Sequence, residues 1–397
     1  MEVFFYIVVC FIAGQFLFTW QVFNNLRYAL NKYRRPRSSY RPDAVIIIPC
    51  KGLDTSFEEN IASFFNQDYR PYRVWFVVEK TADPAYPVLR QMIERLKPAS
   101  TALEVRVFVA GRAVGCSQKL HNILHCLGQV PSWTKALVFA DSDACADADW
   151  LAHIVYPLHK EAIGAAGGYR WFVPQRKNLA TLALSSVNAA VAQLLGNTRF
   201  NHAWGGSMAI LVDIFKKLNI ESVWSRAVCD DLTLSAAVRK AGLKMAYVPA
   251  CMVASYETTS WPQLFEFVRR QFVITRIYAP RTWFFGLACV FFSVAGLWTT
   301  VAAAIYSGTI FFTVAAVVIF LAQFTRAALR QVMAVKLLEK DRRALQPAII
   351  ADILLFWLWA IILLVLIFSS AFGRKIRWRN IAYRLKGPLD IEVLAGQ

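Results

Sequence analysis

The chain has 397 residues, 57% of them hydrophobic, with a formal net charge of +18 and a mean hydropathy of +0.40. Such an apolar content excludes an ordinary soluble protein. The charge does not argue for nucleic acid, because Lys and Arg gather at 27–41, 326–343 and 374–386, each beside a hydrophobic segment, where the positive-inside rule and anionic lipid account for them.

Residues 3–23 (VFFYIVVCFIAGQFLFTWQVF) carry no charge and match the length of about 20 residues that spans a bilayer core. Lacking a basic n-region and an A-x-A-like cleavage site, they form a retained anchor (1–25), not a signal peptide. A basic linker (26–42) follows, and its charge sets the next domain (43–260) on the cytoplasmic side of a multi-pass protein. Within that domain AVIII (44–48), VWFVV (74–78), VRVFVA (105–110) and ALVFA (136–140) predict buried parallel strands. Helices are expected between them at 56–66, 84–97 and 117–127. Alternating strands and helices imply βαβ units, with ligands bound outside the carboxyl ends of the strands. Glu79, Asp83, Asp141 and Asp143 each come shortly after such a strand. There is no internal repeat and no G-x-G-x-x-G.

Asp83, in EKTADPA, is either a helix start before Pro84 or a carboxylate offered to a nucleobase or ribose. Lys119, in GCSQKLHN (115–122), is a solvated lysine or a phosphate ligand. His121 and His125 are spaced i, i+4 but no third ligand follows, so they are ordinary helix residues. In LVFADSDACADADW (137–150), Asp141 and Asp143 form a D-x-D after a strand. Hard carboxylate oxygens suit Mg²⁺ or Mn²⁺ together with substrate phosphates. Asp147 and Asp149 belong to the next helix start. Gly205 and Gly206, in AWGGSMAIL (203–211), mark a turn or a close approach of backbone to a ligand. In CDDLTLSAAVRKAGLKMAYVP (229–249), Asp230 and Asp231 open a helix that ends at a glycine before a strand. Capping explains one acid, and the second is a candidate general base. The eight cysteines form no C-x-x-C pair or regular framework and are expected as reduced thiols.

Residues 261–281 mix aromatic and aliphatic residues with Arg269, Arg270 and Arg276, as an interface-lying helix does. Such a helix would let an active site meet a lipid. The membrane region 282–372 holds hydrophobic segments at 283–306, 309–325 and 348–370, with Asp352 as their main charge. A basic tail (373–397) ends the chain. Three full crossings would put that tail outside, against the charge rule, so one segment is re-entrant or the rule fails.

Taken in order, these stretches resemble the ceramide glucosyltransferase-like family of membrane GT-A glycosyltransferases, close to the glycosyltransferase 2 superfamily. The likeness rests on IIPCKGLDTSFEENIASFFNQDYRPYRVWFVV (47–78), DPA (83–85), GCSQKLHN, DSD (141–143), DDLT (230–233) and IRWRNIAYRL (376–385). It implies an α/β GT-A domain, Rossmann-like, between N-terminal and C-terminal transmembrane helices. The implied activity is inverting transfer of a hexose, such as glucose, from a UDP-sugar to a hydroxyl of a membrane lipid such as ceramide. Carried over by position, Asp83, Asp141, Lys51 and Lys119 would bind the donor, and Asp143 with Asp141 a Mn²⁺ or Mg²⁺ ion. Asp231 would be the base. Arg270, Gln271, Gly205 and Gly206 would line the acceptor side. The family's (Gln/Arg)-x-x-Arg-Trp motif is partial: Arg270 matches, whereas Phe267 and Gln271 depart. A polyprenyl-phosphate glycosyltransferase or polysaccharide synthase is the alternative enzyme. A transporter or scaffold would leave the ordered aspartates unexplained.

Overall fold

The computed structural model describes residues 2–33, 40–378 and 381–394. Part of the basic linker (34–39), two residues of the tail motif (379–380) and the last three (395–397) lie outside the described residues. The chain divides into two compact units. One comprises Met1–Leu30, Trp171–Gly196 and Glu257–Gly373; the other comprises Asn31–Arg170, Asn197–Tyr256 and Arg374–Gln397.

The second unit is organised by a seven-stranded sheet. Its strands are β1 (Ala44–Pro49), β2 (Tyr72–Val78), β3 (Glu104–Val109), β4 (Ala136–Ala140), β5 (Ile163–Pro174), β6 (Ser207–Leu211) and β7 (Lys244–Glu257), in the order β3-β2-β1-β4-β6-β5-β7. Strands β1 to β4 run parallel, and β6 is antiparallel to both β4 and β5. The four expected strands lie within two residues of their expected bounds. Every residue of β2 and β4 is buried, as continuous β-branched and aromatic runs require when both faces of a parallel sheet are covered. In the same core as these strands pack Phe64, Phe65 and Trp150, all essentially inaccessible.

The helices between the strands are Phe57–Ala62, Ala85–Leu96 and Gln118–Leu127. The first is shorter than expected. The last begins at a side-chain cap, Ser117 Oγ accepting from Leu120 N at 3.2 Å. Strand β5 was not expected, because IGAAGGYRWFVP breaks its apolar run with small residues. Those small residues permit close backbone approach: a Cβ on Gly168 would lie 2.1 Å from the Cys251 carbonyl oxygen.

The tail also has structure beyond its charge. It forms the antiparallel strands β8 (Lys375–Trp378), β9 (Ile381–Gly387) and β10 (Asp390–Leu394), in the order β10-β9-β8. Tyr383 of β9 is 1% exposed, and its hydroxyl accepts from Gln118 N at 3.3 Å.

The other unit is helical. Among the described residues four helices are long and apolar enough to cross a membrane: Glu2–Tyr33, Pro280–Ser307, Ile310–Leu337 and Glu339–Ser369, the last opening with a short 3-10 turn before the α-helix Arg342–Ser369. They contain the four expected hydrophobic segments. The helix Arg342–Ser369 has Pro347 inside it and non-helical backbone at Leu355. The expected amphipathic segment is one helix, Trp261–Tyr278, ended by Ala279 and Pro280. An apolar helix, Leu179–Ala192, was not separated from its surroundings by sequence. It is capped by Asn178 and packs with Leu264, Val268, Trp359 and Leu363.

Candidate active site

Parallel strands place their carboxyl ends at one edge, and the loops leaving β1, β2 and β4 carry the acids and lysines. After β1 come Lys51 and Gly52, and after β2 come Glu79 and Asp83. Lys51 Nζ is paired with Glu79 Oε2. Asp83 is 6% exposed, and its Oδ1 accepts from Gly52 N (2.9 Å) and Ala85 N (3.0 Å). This carboxylate therefore ties the β1 loop to the helix start after β2. Gly52 has φ +69°, where a side chain would be strained.

Because β6 runs antiparallel to β4, its start lies beside the end of β4, with Ala140 opposite Ser207. That register brings Gly205 to the edge carrying Asp141 and Asp143. The helix Asp230–Lys240 begins there too. Lys119 Nζ lies 2.7 Å from Asp141 Oδ1 and 2.9 Å from Asp230 Oδ2. Burial alone would lower the pKa of this ammonium. The two carboxylates outweigh burial and hold it above its usual range. Burial pushes the Asp230 carboxyl up to about 6, with Lys119 opposing and Asp231 and Asp141 adding to the rise. A Cβ on Gly205 would sit 2.4 Å from Asp230 Oδ2 and 2.6 Å from Lys119 Nζ, so this close packing of cation and acid needs glycine.

Asp231 is oriented differently. Its Oδ1 accepts from Leu232 N (2.6 Å) and Cys229 Sγ (2.8 Å), and its Oδ2 accepts from Gly205 N (3.2 Å). Gly206 adjoins Trp204, whose ring lies 2.3 Å from where a Cβ would be.

Asp143 Oδ2 pairs with Arg170 Nη1 at 3.0 Å, while its Oδ1 is buried without a hydrogen-bond partner. Burial raises the Asp143 pKa, opposed by Arg170 and supported by Asp141 and Asp54. The orphan oxygen fits a metal ligand. A Mg²⁺-like ion needs only one or two carboxylates when substrate phosphates complete its shell. Among the described residues no three His, Cys, Asp or Glu side chains converge as a ready-made metal cage, so the fit is to a shared metal–phosphate site.

Two further residues of this cluster escaped sequence reading. Arg170 pairs with Asp143 and lies over the Trp204 ring at 4.9 Å. Its only sequence signal is a charge within an otherwise uncharged strand. Asp54 Oδ2 accepts from Ser142 Oγ at 2.6 Å, joining the β1 loop to the D-x-D. His121 is an ordinary helix residue, its Nε2 lying 3.0 Å from Ala110 O. Arg270 and Gln271 belong to the helical unit, on Trp261–Tyr278; the Arg270 guanidinium lies 5.3 Å from the Phe267 ring centre.

The sheet is a parallel-dominated α/β one with an acidic carboxyl edge, on a chain bearing four membrane-length apolar helices among the described residues. The chain belongs to the family described as Glycosyl transferase family 21, which matches residues 4–388. It is 25% identical over 121 residues to ceramide glucosyltransferase 3 of Caenorhabditis elegans, covering 30% of this chain and 26% of that one. Ceramide glucosyltransferase 1 of the same organism is 26% identical over 83 residues, covering 21% and 17%. The chain thus spans about a quarter and a sixth of the lengths of these relatives. Among solved structures it is similar to the mannosyltransferase PcManGT from Pyrobaculum calidifontis in complex with GDP-Man and Mn²⁺. That likeness has 17% identity and a TM-score of 0.48, covering 88% of this chain and 98% of that one. GalNAc-T7 with UDP, GalNAc and Mn²⁺ is 13% identical, with a TM-score of 0.42 and coverage of 64% and 51%.

Proposed function

We propose that this protein is an inverting glycosyltransferase that moves a hexose from a UDP-sugar to the hydroxyl of a membrane lipid such as ceramide. The observation that carries the reading is the gathering of Lys119, Asp141, Asp143 and Asp231 around one sheet edge in a chain of this family. Asp83, fixed through Oδ1, keeps Oδ2 for a ribose hydroxyl or a base N–H. Lys119 is poised to exchange part of its carboxylate pairing for a donor phosphate. Asp141 and Asp143 would hold a Mn²⁺ or Mg²⁺ ion, Asp143 through its unpartnered Oδ1. When bound, such an ion stabilises charge on the departing diphosphate as a Lewis acid. Asp231, oriented by three donors, accepts the proton of the lipid hydroxyl as it attacks the anomeric carbon opposite the diphosphate. The basic flanks favour a multi-pass arrangement with the sheet-bearing unit in the cytoplasm.

The test is incubation of purified protein with radiolabelled nucleotide sugars and total lipid extract, followed by mass analysis of labelled lipid. A UDP-hexose and a hydroxyl-bearing lipid are the expected pair, with EDTA abolishing transfer and Mn²⁺ or Mg²⁺ restoring it. Label recovered on a polyprenyl phosphate or in a polymer would overturn the acceptor. Full activity in chelator would remove the metal.

A further inference from the structure

Charged side chains buried among apolar helices are costly and need a partner. In the helical unit Asp352 is fully buried, and its oxygens accept from Arg330 Nε (2.6 Å), Arg330 Nη2 (2.5 Å) and Gln331 Nε2 (2.6 Å). That acid is fully engaged. Arg326, one turn before Arg330 on the helix Ile310–Leu337, is 9% exposed and has no acidic partner among the described residues. Its guanidinium lies 5.5 Å from the Phe18 ring centre, its Nη2 is 3.5 Å from Ser293 Oγ, and its Nη1 is buried with no hydrogen-bond partner.

The surroundings are polar in a manner the apolar helices do not require. Gln323 Nε2 donates to Ser293 O at 2.9 Å, and Thr19 Oγ1 approaches Ala322 O at 3.3 Å. Gln15, one turn before Thr19, is 1% exposed, and neither its Nε2 nor its Oε1 has a partner. Three helices, Glu2–Tyr33, Pro280–Ser307 and Ile310–Leu337, thus enclose one uncompensated positive charge and several unmet polar atoms.

We infer that Arg326 binds an anionic phosphate oxygen, supplied by the headgroup of a membrane phospholipid lodged between these helices. The inference rests on the helices lying in a bilayer and does not depend on the sugar donor or acceptor. Phosphate suits the site because a guanidinium offers paired N–H donors to it, and basic pockets between membrane helices hold anionic headgroups. A phosphate also answers the charge that Asp352 leaves unbalanced.

The experiment compares wild type, Arg326→Gln and the exposed control Arg343→Gln in detergent micelles doped with phosphatidylglycerol or phosphatidylcholine. Retained lipid is counted by native mass spectrometry, and thermal unfolding is measured alongside. Wild type and Arg343→Gln should retain phosphatidylglycerol about fivefold over phosphatidylcholine, the preference one basic residue supplies. Arg326→Gln should retain the two equally. An unchanged preference in Arg326→Gln would overturn the site. Inorganic phosphate stabilising the wild type as strongly as phosphatidylglycerol would overturn the lipid source. If Arg326→Gln does not fold, Arg326→Met replaces it; this variant keeps the side chain's length and removes the charge, so it too should retain the two lipids equally, and an unchanged preference would refute the proposal. Wild type showing no preference at all would refute it outright.

Discussion

Asp230 meets Lys119 with its carboxylate buried, whereas the half-buried Asp231 receives hydrogen bonds from Gly205, Leu232 and Cys229. The first arrangement suits charge balance, and the second suits a fixed proton acceptor. Asp231→Asn should bind nucleotide sugar normally but lose about 10²–10⁴-fold in single-turnover rate, the usual loss for a positioned base. Asp230→Asn should retain much more activity; equal rates in the two variants would put the base elsewhere. The Asp230 carboxyl, raised to about 6 by burial, also predicts a pH effect. Below that value it is neutral, one negative charge leaves the site, and the diphosphate donor should bind more tightly. Donor affinity measured from pH 7 to pH 5 should rise in wild type and stay flat in Asp230→Asn. For stability the sign is the same: this group's contribution is fully present below its unfolded value of ~3.9 and is lost as pH rises through about 6. Gly205→Ala tests the same cluster sterically. Its Cβ would meet the ends of the Asp230 and Lys119 side chains, which can move, so transfer should fall with little change in Tm. Gly168→Ala would instead meet the Cys251 backbone, and Tm should fall markedly. A native Tm in Gly168→Ala would contradict the close packing of β5 on β7.

At the scale of elements, the strands legible in the sequence were β1 to β4, with continuous apolar runs, and the start of β7 after the glycine that ends the Asp230 helix; the acids after β1 to β4 were legible because such strands end at a ligand edge. Strand β5 was not, since IGAAGGYRWFVP lacks both alternation and a continuous run. Arg170 was lost with it, because only the folded register shows that it faces Asp143. The tail strands β8 to β10 were hidden by their basic residues, which fit a membrane flank equally well. The helix Trp261–Tyr278 shows how structure divides residues of one type. Arg269 Nη2 donates to Phe372 O at 2.6 Å, and Arg276 donates to Ala371 O and Gly373 O. These arginines satisfy carbonyls of the turn just beyond Arg342–Ser369, near a helix end whose dipole favours cations. Arg270 instead lies against Phe267. Arg276→Ala should therefore lower Tm, a loss of about 1 kcal/mol per bond removed. Arg270→Ala should impair transfer at an unchanged Tm. The reverse pattern, read by thermal unfolding and initial rates, would take Arg270 out of the acceptor site.

For the molecule as a whole, the position of the tail bears on the membrane topology we propose. Strands β8 to β10 belong to the same unit as the seven-stranded sheet, and Tyr383 holds Gln118 within it. With the helical region in a bilayer and the sheet-bearing unit on one face of it, as we propose, both ends of the region between Tyr256 and Arg374 return to that face, which calls for an even number of complete crossings. Three helices of that region are long and apolar enough to cross, so on this proposal one of them does not cross completely. Arg342–Ser369 is the candidate, because Leu355 breaks it into residues 342–354 and 356–369. At about 1.5 Å per residue each half reaches only ~20 Å, short of the ~30 Å hydrocarbon core. On that proposal the charge rule holds at the tail as well, and thiol labelling distinguishes it from three full crossings. With Cys10, Cys145 and Cys289 replaced by serine, so that the remaining native cysteines are buried, cysteines introduced one at a time at Ser307, Lys340, Ala371 and Glu392 can be probed in intact cells with an impermeant thiol reagent. Only the Ser307→Cys protein should label from outside; the other three should label after the membrane is opened. External labelling of Glu392→Cys would mean three full crossings, and would separate the tail from the sheet that Tyr383 joins it to.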